Sequence, residues 1–128
     1  MINKNIALMI SGEQAVLSQP LVIFKNDNGI SFNFKISQSN YKFDKNPVDL
    51  ANEFGAVSAR MLILKPDKSS YMTTRVNLAD NTISLVITSD MINELSELGT
   101  YYLQIHLYDC DDNRITTPPV FFKVLDTI

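Results

Sequence analysis

The sequence predicts an all-β fold, an antiparallel β-sandwich with one short crossover helix, built as a single domain over residues 1–128. Three observations carry that prediction. Apolar and polar residues alternate with period two along several segments, which in a strand sends them to opposite faces. Such segments recur about every ten residues, as in sandwiches. Tracts rich in Asn, Asp, Gly, Pro and Ser separate them, as turns require.

In chain order, the first strands are "NIALMI" and "PLVIF". In "ISFNFKI", Ile30, Phe32, Phe34 and Ile36 share one face and Ser31, Asn33 and Lys35 the other. The polar stretch "SQSNYKFDKNPVDLANEFGA", with Pro47 and Gly55, reads as a long connection. "VSARMLILK" and "YMTTRVNL" are further strands, followed by "TISLVIT", where Ile83, Leu85 and Ile87 oppose Thr82, Ser84, Val86 and Thr88. The helix is "SDMINELSELG": Asp90 caps it, Met91, Leu95 and Leu98 form its apolar stripe, and Gly99 stops it. It carries the chain from one sheet to the other.

"YYLQIHLY" turns Tyr101, Leu103, Ile105 and Leu107 inward, opposite Tyr102, Gln104, His106 and Tyr108. "CDDN" is a polar turn into "RITTPPVFFKVL", where Val120, Phe122 and Val124 alternate toward the core. Pro118 and Pro119, lacking N–H groups, suit the start or open edge of that strand. Tyr101 opens its strand two residues after Gly99 and faces inward, like the tyrosine corner of Ig-like, Greek-key sandwiches.

Composition narrows the function. A chain of 128 residues is long enough to bury one core, and its 45% hydrophobic and 20% charged residues are those of a globular protein. With 11 Lys and Arg against 14 Asp and Glu, the net charge is −3 and the basic residues are scattered, so nucleic acid and anionic membrane are not expected partners. "IALMI", cut off by "SGEQ", is too short for a signal-peptide core or a bilayer span; synthesis in the cytoplasm without export is the expectation. Cys110 is the single cysteine and forms no internal disulfide, so packing alone must hold the fold.

The acidic turn near His106 and Cys110 invites a chemical reading that its spacing does not support. Asp109, Asp111 and Asn113 match the first ligands of an EF-hand loop, but Arg114 stands where glycine is needed and Val120 where a bidentate Glu is needed. One Cys and one His without a second pair do not make a zinc site. Cys110 sits among Asp109, Asp111 and Asp112, whose charges oppose thiolate formation, and no nucleophile elbow accompanies His106. No catalytic residue, metal or cofactor is expected, and the stretch is read as a hairpin.

"FKNDNGISFNFKI", then "VDL" before a strand, "LILKPDK", a short helix, "LGTYYLQIHLYDCDDNR" and the closing "ITTPPVFFKVL" follow one another in an order that resembles a known family. That family is the N-terminal module of baseplate upper proteins, the receptor-binding-protein adaptors of tailed phages of Gram-positive bacteria. The resemblance covers roughly residues 20 to 126, and Lys68 stands where the family's turn has glycine. It implies a non-catalytic β-sandwich that docks on the tail hub in many copies and carries host-recognition parts outward. It also implies a place in the virion tail baseplate, with no signal peptide needed. Family members continue into helical and receptor-related parts, so the chain is expected to be a piece of such a protein or a module encoded alone.

A docking role needs aromatic residues turned away from the core. Tyr102, Tyr108 and Phe121 are expected on that side, with His106 exposed or at an interface. The competing reading covers these residues with the N-terminal segment or the 37–56 connection. The alternative function is a carbohydrate-binding module for host-wall polysaccharide, with Tyr41, Tyr71, Tyr102 and Tyr108 as stacking residues; the absence of Trp weighs against it.

Overall fold

A computed structural model describes residues 2–39 and 48–127. Within them run β1 (Ile2–Ser11), β2 (Gln14–Leu17), β3 (Val22–Phe24), β4 (Ile30–Ser39) and β5 (Val48–Asp49), then helix α1 (Leu50–Phe54). There follow β6 (Ser58–Leu64), β7 (Ser70–Met72), β8 (Val76–Asn77), β9 (Thr82–Ile87), β10 (Gly99–Tyr108), β11 (Arg114–Thr116) and β12 (Val120–Leu125). They form two sheets packed as a sandwich. Sheet A has the order β2-β1-β4-β5, with β9 also on β4; sheet B has the order β3-β12-β10-β6-β7, with β11 on β10 and β8 on β6.

The alternation expected from sequence lines the interior. Phe32, Phe34 and Ile36 of β4 and Ile83, Leu85 and Ile87 of β9 meet Tyr101, Leu103, Ile105 and Leu107 of β10 and Val120, Phe122 and Val124 of β12. Each fully buried apolar side chain contributes about 1.5–3 kcal/mol, so this interior is the main source of stability. The sheets are mixed. β1 runs parallel to β4 over ten paired positions, from Ile2↔Ile30 to Ser11↔Ser39, and β3 runs parallel to β12. β3 lies in sheet B between β1 and β4 in the chain, so the β1–β4 pair is joined by a crossover through the other sheet, while β3 and β12 meet in sheet B from distant parts of the chain.

The crossover between β9 and β10 is where the expected helix is corrected. It is a 3-10 turn over Ser89–Met91 followed by further turns, and Thr88, not Asp90, takes the N-cap position, with no side-chain bond. Its hydrogen bonds are mostly of the i to i+3 kind: Ile92 N–H to Ser89 O, Glu94 N–H to Met91 O and Leu95 N–H to Ile92 O. Met91 and Leu95 bury as the stripe requires, but Leu98 is exposed. The coil cannot continue because Tyr101 Oη takes the Glu97 carbonyl at 2.6 Å, pinning the chain where a helix would extend. Burial raises the Tyr101 pKa, which keeps the phenol a donor, and its ring stacks on Phe122 at 5.1 Å. The tyrosine-corner geometry is therefore present.

The helix lies instead in the segment read as a plain connection. Asp49 Oδ1 accepts from Asn52 N–H at 3.2 Å and Gly55 closes the helix in the left-handed region, φ 74°. Tyr41 and Pro47 fall outside the described residues.

Two hairpins of sheet B share one geometry. Lys65 N–H and Asp109 N–H bond to the carbonyls of Ser69 and Asn113, and Lys68 and Asp112 take the left-handed conformation at φ 76° and 62°. This conformation favours glycine, the residue that the family resemblance expects at Lys68. Replacing Lys68 by Gly is expected to raise stability by about 0.5–1 kcal/mol in urea denaturation, the relief of left-handed strain less the extra freedom of an unfolded Gly. Tyr101→Phe, which leaves the Glu97 carbonyl without its donor, is expected to cost about 1–2 kcal/mol in the same assay.

Candidate protein-docking face

The registers that close the core also fix what the outer faces present. On sheet A the outward centre of β4 is polar, with Met9 and Val16 exposed toward the β2 edge: Asn33 of β4 donates to Asn5 of β1 at 3.2 Å and accepts from Ser31 and from Ser84 of β9 at 2.9 and 2.6 Å. Sheet B differs. Tyr102 is paired with Phe121 on one side and Leu64 on the other, and in this row Phe121 is 58% and Tyr102 48% exposed, with Leu64 exposed as well. Val22, Phe24, Leu125 and Met72 add exposed apolar surface on the same sheet. A groove of about 490 Å³, lined by Val16, Leu17, Pro20, Val22, Phe121 and Lys123, opens beside Phe121. Contiguous apolar surface of this kind marks interaction sites.

The other end of the same face is cationic and closed. His106 pairs with Arg60 of β6 and Thr116 of β11; Tyr108 pairs with Ser58 and Arg114. Arg75 lies over the Tyr108 ring at 3.8 Å and Arg60 at 5.5 Å, and Arg75 is held by Ser58 Oγ at 2.7 Å and Asp112 Oδ1 at 2.6 Å. His106 and Tyr108 do face away from the core as expected, but they are only 6% and 7% exposed, which corrects the exposed reading of His106. Alternation gives the face of a strand, whereas these guanidinium side chains supply a cover that alternation does not encode. Burial first, then the Arg114 and Arg60 charges, lowers the His106 pKa.

The acidic turn is organised around one side chain. Asp109 Oδ1 accepts from the N–H groups of Asp111 and Asn113 at 2.9 and 2.8 Å, and Oδ2 from Asn113 Nδ2 at 3.0 Å; these bonds, the Asn113 side chain foremost, lower its pKa. The hairpin reading accounts for the carboxylate directly. Past the turn, the return strand breaks at Thr117, whose buried N–H and Oγ1 bond the carbonyl and N–H of Ile105, before Pro118 and Pro119 lead into β12. Cys110 is exposed. Among the described residues no group of three or more His, Cys, Asp or Glu is placed to hold a metal ion, and no helix is long and apolar enough to cross a membrane.

Of the tyrosines offered for sugar stacking, Tyr102 presents an open ring, Tyr71 packs on the core and Tyr108 is capped by Arg75. Sequence reasoning found Tyr102 and Phe121 but not Arg60, Arg75 and Arg114, although the outward alternation of "SARMLIL" places Arg60 beside His106 once the register is known.

These features define a two-sheet sandwich module whose sheet B face carries an exposed aromatic and apolar row. No protein-family profile matches the chain, and no curated protein matches its sequence. Among solved structures, the N-terminal domain of phage TP901-1 ORF48 is similar in fold, with a TM-score of 0.58 over 100% of both chains at 13% identity.

The buried imidazole has a consequence for stability. Because its folded-state pKa lies below the ordinary value of about 6.5, the unfolded chain binds the proton first as pH falls. Stability is therefore lost as pH drops through about 6.5 toward the lowered folded value, below which the loss is complete. His106→Gln is expected to remove that part of the pH dependence, checked by comparing urea midpoints of both proteins at about pH 7.5 and pH 5.

Proposed function

We propose that the chain is a non-catalytic structural module of a phage tail baseplate, docking on the tail hub through the outer face of sheet B and presenting host-recognition parts outward. The observation that carries this reading is the Phe121–Tyr102–Leu64 row, an aromatic and apolar strip left open on one sheet, where the centre of the opposite sheet carries an Asn and Ser network. Interfaces are anchored by a few such aromatics surrounded by drier contacts. The sequence resemblance to baseplate upper proteins and the fold likeness to a phage protein's N-terminal domain support the same reading from different sides. Assembly in several copies, a place in the virion tail and synthesis in the host cytoplasm belong to the proposal.

The test is size-exclusion chromatography with light scattering, on the chain alone and mixed with the distal-tail hub protein of the same phage. A complex of defined mass is expected. The Tyr102→Ala/Phe121→Ser variant is expected to lose at least about thirtyfold in affinity, as hot-spot truncations do, while its urea midpoint moves little because both side chains are exposed. A chain that ignores the hub but binds host-wall polysaccharide through Tyr102 would overturn the reading in favour of the carbohydrate-binding alternative.

A further inference from the structure

We infer that the corner of sheet B where β6, β10 and β11 meet is a carboxylate-binding site, filled by an acidic side chain of the docking partner. The identity of the occupant rests on the docking reading; the site itself does not. Three guanidiniums converge there: Arg60 and Arg114 flank the outward pair His106 and Tyr108 from the two neighbouring strands, and Arg75 lies over Tyr108. Asp112 answers Arg75. Asp109 and Asp111 stand in the adjoining turn, yet among the described residues neither Arg60 nor Arg114 has a carboxylate within ion-pair distance, so two guanidiniums remain free to take one.

Hydrogen bonding points the same way. Arg60 Nε, His106 Nδ1 and Tyr108 Oη are buried and have no hydrogen-bond partner among the described residues, and all three belong to this corner. Buried polar groups are normally satisfied, and leaving them unpaired is costly. Arg75 covers the Tyr108 ring and is tied to Ser58 and Asp112, whereas Arg60 and Arg114 hold no carboxylate among the described residues. An arriving carboxylate fits the planar fork of Arg60, and it favours a protonated His106, turning both imidazole nitrogens into donors.

Position favours a protein carboxylate over a free ion or a phosphate polymer. The next outward residues on the same two strands are Gln104 and Leu62, which border Tyr102 and Leu64. Outward neighbours on one strand stand about 6.5–7 Å apart, so the corner lies two such steps, about 13–14 Å, from the Tyr102–Leu64 row, within reach of a partner that covers the apolar strip.

The sole histidine supplies the probe, since its imidazole NMR signals need no assignment against others. The charges that act on it are those of Arg114 and Arg60; Tyr108, with Arg75 over its ring and Asp112 on Arg75, is the next outward residue on the strand. Adding hexaglutamate to the full chain is expected to shift the His106 signals and raise their titration midpoint, and R60Q/R114Q is expected to abolish the shift while Tyr102→Ala/Phe121→Ser keeps it. R60K, which retains charge but not the fork, is expected to fall between. R114Q alone serves if the double variant does not fold, because Arg114 is exposed. Against the hub protein, R60Q/R114Q is expected to weaken binding about tenfold and to flatten its salt dependence.

No response of His106 to hexaglutamate overturns the site, and a response to inorganic phosphate alone overturns its assignment to a carboxylate. Unchanged hub affinity of R60Q/R114Q overturns the occupant while leaving the docking function standing. A hexaglutamate response in a chain that never binds the hub supports the site and removes the function.

Discussion

Two ten-residue strands facing each other across a dry interior, β4 and β10, are the constraint on which the rest of the structure depends. Each lies inside its sheet, bordered on both sides, and each commits every second side chain to the shared core. Because the side-chain period is two, a slip of one residue would turn Phe32, Phe34 and Ile36, or Leu103, Ile105 and Leu107, out to water. The hydrophobic effect therefore fixes the register, and the register fixes the outer face with no further choice. The row Phe121–Tyr102–Leu64 and the pair His106–Arg60 are the reverse side of core pairings such as Tyr101–Phe122 and Leu103–Ile63.

Period two made the core legible from sequence for the same reason: Ile30 to Ile36, Ile83 to Ile87 and Tyr101 to Leu107 announce their inner faces. It could not distinguish parallel from antiparallel neighbours, because both alternate alike, so the β1–β4 and β3–β12 pairings were hidden. Asp49 and Gly55 did mark α1, but the polar length around them masked a five-residue helix. Met91, Leu95 and Leu98 have helical spacing, yet the Tyr101 to Glu97 bond decides the backbone there, a contact no local pattern encodes. At the outer face, Phe121 and Tyr102 were legible because among the described residues they stay about half exposed. The burial of Tyr108 was not legible because Arg75, 33 positions earlier in the chain, folds back over its ring.

An exposed apolar face carries a hazard, and the edges of the two sheets answer it. A long open strand would let copies of the chain pair edge to edge through their backbones. Here β2, β3, β5, β7 and β8 run only two to four residues each, and most outer borders of the sheets are drawn by them. Surface for side-chain recognition is kept open while backbone for indiscriminate pairing is kept short.

On the docking reading proposed above, the two ends of the sheet B face divide the work of recognition. The apolar strip is non-directional: a partner sliding along it by one pair of positions would exchange Tyr102 and Leu64 for Gln104 and Leu62 and keep much of its contact. The cationic corner does not tolerate such a slide, because a carboxylate moved by about 6.5–7 Å leaves Arg60 and enters apolar surroundings, where an unpaired charge is strongly disfavoured. Area holds the partner and the corner sets its register. The three unpaired polar atoms beneath the arginines are then the cost of a recognition site borne by the isolated module, and that cost is removed when the partner's acid arrives.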